Sequence, residues 1–299
     1  MAETDDSAPE MSPYTFGTMA IGRDPGRIRR DIRLARAAMD SGVWFHTARR
    51  YACVDSYNVL GRAFREDPAN IPPCTCKIRC YNADTIRIDV EDTLSLLDME
   101  TVAVAQLSKR SGERKEIVDD FLAEGPMWQA CRELHEEGLV ENFALELFVS
   151  CSEEGIRAVE GNLFDAYAFY YSIVDREVTN DLFRALQAGR APIISIRTVG
   201  GGKIFPAVRE RLRREEPDHY YLDRLDDLEP VFEQSDSRDW LDFAFRFLLG
   251  QPNVRTTVGG TADEEHLQDF IETAASAEPL PAELVGAIER LHDRWMAEF

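Results

Sequence analysis

What most constrains this chain is a rhythm. Short apolar runs recur, each followed by a stretch with helical spacing, the pattern of βα units around a parallel sheet. The runs fall at residues 16–21, 43–45, 74–78, 102–107, 143–148, 164–169, 193–196 and 254–258. That is the number of strands a closed (β/α)8 barrel requires. Between them, helical periodicity is read near 56–64, 84–97, 128–137, 153–159, 177–186 and 240–249. The first helix opens with Asp24-Pro25, a capping residue followed by proline, and carries Ile28, Ile32, Ala35 and Met39 on one face. The tail 281–299 reads as a C-terminal amphipathic helix with Val285, Ile288, Leu291 and Trp295 as its stripe. No Gly/Ser/Pro-rich linker interrupts the interior, so residues 14–299 are expected to form one α/β TIM barrel with that C-terminal helix. Residues 1–13, acidic and polar at their start, are expected to be a disordered leader. The charged segment 203–236 reads as irregular, either a lid over the site or a plain surface excursion.

The net charge of −21 argues against nucleic acid or an anionic membrane as partner. No stretch approaches the ~20 apolar residues of a membrane span. Six cysteines without a CxxC pair fit reduced thiols in a cytoplasm, and Cys74, Cys76 and Cys80 read as core rather than metal ligands. No metal site is expected. Only four of the 34 basic residues are lysine (Lys77, Lys109, Lys115 and Lys203), so a lysine at a strand end is informative.

Barrel enzymes carry their chemistry just past the strand C-termini. His46 and Tyr51 follow the second apolar run, Lys77 ends the third and Ser108 the fourth. These four are the candidate catalytic residues. Arg49 and Arg50 could meet an anionic group or simply be solvated.

The stretch FGTMAIG, then HTARRYACVDSYNVLG, a strand ending in TCK, AVAQLS, LHEEGLVENFALELF, YYSIVDR, SIRTVGGGKI and VGGTADEEHLQDF together resemble the aldo-keto reductase superfamily from Phe16 to Phe270. The resemblance implies a barrel that binds NADPH without a Rossmann domain and reduces carbonyls by hydride transfer. It implies Tyr51 as general acid beside Lys77, whose ammonium would lower the phenol's pKa. It also exposes departures. His46 stands where the family has aspartate, and Ser108 where it has histidine. A neutral His46 could accept a hydrogen bond from Lys77. Glu146, Leu147 and Ala168 stand where the family grips the nicotinamide amide, so those contacts are expected to be weakened.

On the same resemblance, Tyr171 keeps the place of an aromatic near the nicotinamide ring. Arg197, Gly201 and Gly202 belong to a loop whose amides could meet a pyrophosphate. Thr261 and His266 match phosphate and adenine contacts, with Asp263 and Glu264 opposing a 2′-phosphate. Three functional readings follow. The first is an NAD(P)-dependent oxidoreductase acting on a small carbonyl or hydroxyl metabolite through a non-standard site. The others are a non-redox acid–base enzyme (isomerase or lyase) on the same fold, and a catalytically inactive binding protein. The sequence names neither the substrate nor the oligomeric state.

Overall fold

The computed structural model describes residues 9–49, 51, 55–109 and 114–298. Eight parallel strands close in sequence order: β1 (Tyr14–Gly17), β2 (Trp44–Ala48), β3 (Cys74–Arg79), β4 (Val102–Ser108), β5 (Val140–Glu146), β6 (Ala166–Tyr170), β7 (Ile193–Ile196) and β8 (Val254–Gly259). The first six helices are α1 (Ile28–Asp40), α2 (Ser56–Glu66), α3 (Ala83–Leu97), α4 (Lys115–Leu122), α5 (Pro126–Glu136) and α6 (Ser152–Glu160). The rest are α7 (Asn180–Ala188), α8 (Pro206–Glu215), α9 (Tyr220–Glu233), α10 (Trp240–Leu249), α11 (Glu264–Ser276) and α12 (Ala282–Ala297). Asp24 does cap a helical start, accepting from the Gly26 N–H, but of a short 3-10 turn that leads into α1.

Alternation along each strand sorts side chains into two layers. Val104, Ala144, Ala166, Ala168, Ile194 and Val258 fill the barrel interior. The opposite faces pack aromatic residues against the helices. Phe45 lies edge-on to Phe16 at 5.4 Å between ring centroids, and Tyr14 meets Phe270 of α11 at 5.6 Å. Burying each such ring contributes roughly 1.5–3 kcal/mol.

Several expectations change, the first strand among them, which runs Tyr14–Gly17 and gives way to a 3-10 turn at Thr18–Ala20. Residues 1–8 of the expected leader lie outside the described residues, while Met11, Ser12 and Pro13 contact the barrel. Met11 packs with Trp44 against the interior cluster, and the Ser12 hydroxyl accepts from the Trp44 N–H at 2.9 Å. The segment 203–236 is not irregular: it forms α8 and α9. Charge hid their period. Arg209 of α8 reaches Glu229 and Asp226 of α9, both at 2.8 Å, so much of the charge is spent between the two helices. Helix α4 matches none of the periodic segments; it buries Ile117, Val118 and Phe121.

β5 begins and ends earlier than its apolar run suggests, because Leu147 and Phe148 lead into a 3-10 turn at Val149–Cys151. Glu146 therefore closes the strand on the same face as Ala144, at the barrel mouth. Helix α12 buries Ile288 and Trp295 as its stripe requires. His292 meets the Ile173 carbonyl at 3.2 Å, and Trp295 donates to Asp227 of α9 at 2.9 Å.

Candidate active site

The strand register sets the first half of the site. His46 pairs with Thr75 of β3, and Lys77 with Gln106 of β4, and the inward side chains of β2 and β4 meet where His46 contacts Gln106. His46 is 2% exposed. Its Nε2 lies 2.7 Å from Gln106 Oε1, and its Nδ1 lies 3.3 Å from the Tyr51 hydroxyl. The amide oxygen only accepts, which suits a proton on Nε2. Burial, and then the Lys77 charge, push the imidazole down to about 4. His46 is therefore neutral near pH 7.

Lys77 does not reach His46 or activate Tyr51. Its ammonium donates to Glu146 Oε1 at 2.5 Å. Glu146 is 6% exposed, and its other oxygen lies 3.6 Å from the guanidinium of Arg114. Arg114 is fully buried, donates to the Glu146 carbonyl at 2.6 Å and to the Lys109 carbonyl at 2.8 Å, and lies over the Phe148 ring. One carboxylate is thus held between two cations, which is what its burial demands. Tyr51 is raised far above the usual phenol value, first by burial and then by Glu146. The expected lowering by Lys77 is overturned, because Glu146 has taken the lysine.

Ser108 ends β4 half-buried at the mouth, its carbonyl accepting from the Cys80 N–H at 3.0 Å. Arg49 is paired with Asp92 of α3, and Arg50 lies outside the described residues. Cys74, Cys76, Cys80, Cys131 and Cys151 are buried free thiols; Cys53 lies outside the described residues. Among the described residues no cluster of three His, Cys, Asp or Glu side chains could hold a metal ion, and no helix is long and apolar enough to cross a membrane.

The other half of the mouth follows β7. Arg197 has φ 73°, in the left-handed region that a side chain disfavours, and Gly200, Gly201 and Gly202 follow with φ of 56°, 66° and 86°. A Cβ on Gly200 would stand 2.7 Å from Val174 Cγ2, so glycine is required there twice over. The Gly200 and Gly202 N–H groups donate to the Arg197 and Val199 carbonyls, both at 2.8 Å, so the run is a self-bonded tight turn between Arg197 and Lys203. Arg197 lies over the Tyr170 ring at 4.9 Å and Lys203 over the Tyr221 ring at 5.0 Å. Among the described residues no carboxylate closes an ion pair with either. Beneath them, buried Asp175 accepts from the Tyr221 hydroxyl and from Arg224 at 3.1 Å, which fixes α9 against the loop after β6.

Further round, Thr261 Oγ1 accepts from the Asp263 N–H at 3.0 Å. Asp263 in turn caps α11 and pairs with Arg30 of α1 at 2.8 Å. His266 is exposed in the first turn of α11.

The model of the aldo/keto reductase family matches residues 14–293. The chain belongs to the aldo/keto reductase family. Solved structures agree on the fold. An aldo-keto reductase from Klebsiella pneumoniae in complex with NADPH superposes with a TM-score of 0.69 at 16% identity, covering 94% of this chain and 91% of that one. An aldo-keto reductase from Bacillus halodurans in its holo form gives 0.70 at 20% identity, covering 95% of both chains. The glycerol dehydrogenase from Gluconobacter oxydans gives 0.71 at 20% identity, covering 96% of this chain and 94% of that one. No curated protein matches the sequence.

Within this aldo/keto reductase, one expected aromatic is out of reach of the mouth. Tyr171 is fully buried between barrel and helices, against Phe183, Phe247 and His292. Tyr170, its neighbour on the opposite face of the strand, is the half-buried ring beneath Arg197. Sequence reasoning misses two site residues, Gln106 and Arg114. Gln106 lies two positions before Ser108, on the same strand face, and that spacing could have found it. Arg114 carries no such signal.

Proposed function

We propose that this aldo/keto reductase is an NAD(P)-dependent oxidoreductase acting on a small carbonyl or hydroxyl metabolite through a non-standard site. The observation that carries the reading is the loop after β7, where Arg197 and Lys203 supply two cations that close no ion pair among the described residues. These residues fit a dinucleotide's pyrophosphate, and Thr261 and His266 would stand at its adenine end. At the nicotinamide end the fit is thinner. Leu147 and Ala168 have no polar side-chain atom, and Glu146 is committed to Lys77 and Arg114. Bound NAD(P)H would supply a hydride. The chain's own contribution is the proton: Tyr51 would give it to the carbonyl oxygen, with Nδ1 of His46 fixing the phenol's position. Ser108 would hydrogen-bond the same oxygen.

The Lys77–Glu146 pair favours a second reading, since a carboxylate held in the place of the amide grip suits non-redox acid–base work by Tyr51 and His46. Titration of the pure protein with NADH and NADPH, read by nucleotide fluorescence, separates the two. Saturable binding below millimolar levels supports the oxidoreductase; no binding of either nucleotide leaves the acid–base reading standing. In both, Tyr51→Phe abolishes turnover.

A further inference from the structure

The buried partner of His46 does more than fill the interior. Imidazole has two tautomers, and a neutral ring keeps whichever one its surroundings hold. Among the described residues, four groups face this ring. Gln106 of β4 touches Nε2, Tyr51 touches Nδ1, and the charges of Lys77 on β3 and Glu146 on β5 act from beside it. Lys77 and Glu146 bind each other, and the ring's hydrogen bonds go to Gln106 and Tyr51. The tautomer is thus decided between an amide and a phenol. A phenol can donate or accept, and so imposes nothing. The amide presents its oxygen at 2.7 Å, and Gln106 is wholly buried, its amide nitrogen making no hydrogen bond among the described residues.

We infer that Gln106 is a positioning residue, whose side-chain carbonyl holds His46 as the Nε2–H tautomer and leaves Nδ1 as the acceptor of the Tyr51 proton. The consequence is a two-link proton path with a fixed direction. When a substrate hydroxyl gives its proton to the Tyr51 oxygen, the phenol's own proton passes to Nδ1. The resulting imidazolium carries a proton on each nitrogen, one still held by Gln106. In reverse, Nδ1 returns its proton to Tyr51 as Tyr51 protonates a carbonyl oxygen. No electrons move in this path. The relay rests on the reading of Tyr51 as the proton-handling group; the tautomer does not.

The same neutral imidazole explains why an amide suits the position. A carboxylate at 106 would favour imidazolium and lock the relay in its protonated form. An apolar residue would leave the ring free to exchange tautomers.

The test needs no substrate. The full chain is labelled with 15N-histidine, and the His46 signals are identified by their loss in His46→Gln. The expected result is a neutral ring with a pyrrole-type Nε2 and a pyridine-type Nδ1 from pH 8 down to about 5. Gln106→Leu should bring the two nitrogen signals toward a common average. Gln106→Glu, of the same shape, should raise the proton affinity of His46 by about tenfold or more. An Nδ1–H tautomer in the native protein would overturn the inference, as would an unchanged tautomer in Gln106→Leu. If the leucine variant does not fold, the native spectrum and Gln106→Glu decide alone. A nucleotide titration on the same sample separates this inference from the cofactor reading: absent binding with the Nε2–H tautomer present removes the oxidoreductase and leaves the tautomer intact.

Discussion

On the β2–β5 side of the mouth, Tyr51, His46 and Gln106 hold one another, and so do Lys77, Glu146 and Arg114. On the β7 side, Arg197 and Lys203 rest on the faces of Tyr170 and Tyr221. Both sides lie in a chain with 21 more acidic than basic residues, so the contrast is not one of supply. The first wall has spent its charges internally, at the cost of depending on every partner. The second keeps its positive charge available at the mouth, which is what an anionic ligand needs. Stability should therefore be concentrated in the first wall and ligand affinity in the second.

The largest expected effect tests the first wall. Glu146→Ala leaves Lys77 and the fully buried Arg114 without their shared carboxylate, and should cost about 3–5 kcal/mol in urea denaturation. Lys77→Met should cost clearly less, because Glu146 keeps Arg114 as a partner. Equal losses would mean that the two cations do not share the carboxylate.

The next effect is one of pH. His46 is held at about 4 in the folded chain against 6.5 for an ordinary imidazole, so the unfolded chain binds the extra proton first as pH falls. The associated stability is present above about 6.5 and is lost progressively down to about 4, a span of about 3 kcal/mol. The stability difference between the native protein and His46→Gln, followed from pH 8 to 4, should shrink by that order. A flat difference would mean that His46 is solvated or charged.

The two walls are also unequally legible in the sequence. Strand rhythm alone places His46, Tyr51, Lys77 and Ser108 on the mouth side of β2, β3 and β4, because position after a strand is a one-dimensional property. Partnership is not one-dimensional. Lys77 and Glu146 lie 69 residues apart, and β5 ends before its apolar run does, so the pair could not be read without the register. Tyr171 shows how narrow the margin is. One residue separates it from Tyr170, and one residue on a strand exchanges interior for exterior. The helices α8 and α9 are hidden for another reason: their apolar stripes are diluted by charges that pair only once both helices exist.

The second wall should respond in affinity rather than stability. Arg197→Ala and Lys203→Ala should each weaken NADH or NADPH binding by about tenfold, the equivalent of roughly 1.4 kcal/mol, the scale of one charge-assisted contact. Their urea midpoints should stay close to that of the native protein, since neither residue closes an ion pair among the described residues. An Arg197→Ala variant that loses stability instead would show that the guanidinium serves as a clasp on Tyr170 and not as a ligand for phosphate.

The smallest expected effect concerns the choice between NADH and NADPH. If Thr261 and His266 hold the adenine end as proposed, Asp263 and Glu264 would lie near a 2′-phosphate, and two carboxylates there would repel it. The structure tempers that expectation, because Asp263 is already paired with Arg30 at 2.8 Å. Both side chains are about half exposed (40% and 48%), where water and salt screen such a pair to about 0–1 kcal/mol. Asp263→Asn removes the charge yet keeps a side-chain oxygen able to accept from the Glu265 N–H, so the cap of α11 should survive. It also releases Arg30 toward the phosphate. The expected gain for NADPH over NADH is therefore within about fivefold, with the folding midpoint unchanged. A gain of about a hundredfold would mean that Asp263 alone excludes the 2′-phosphate. No gain would mean that Arg30 has already neutralised it, and that the discriminating charge is Glu264.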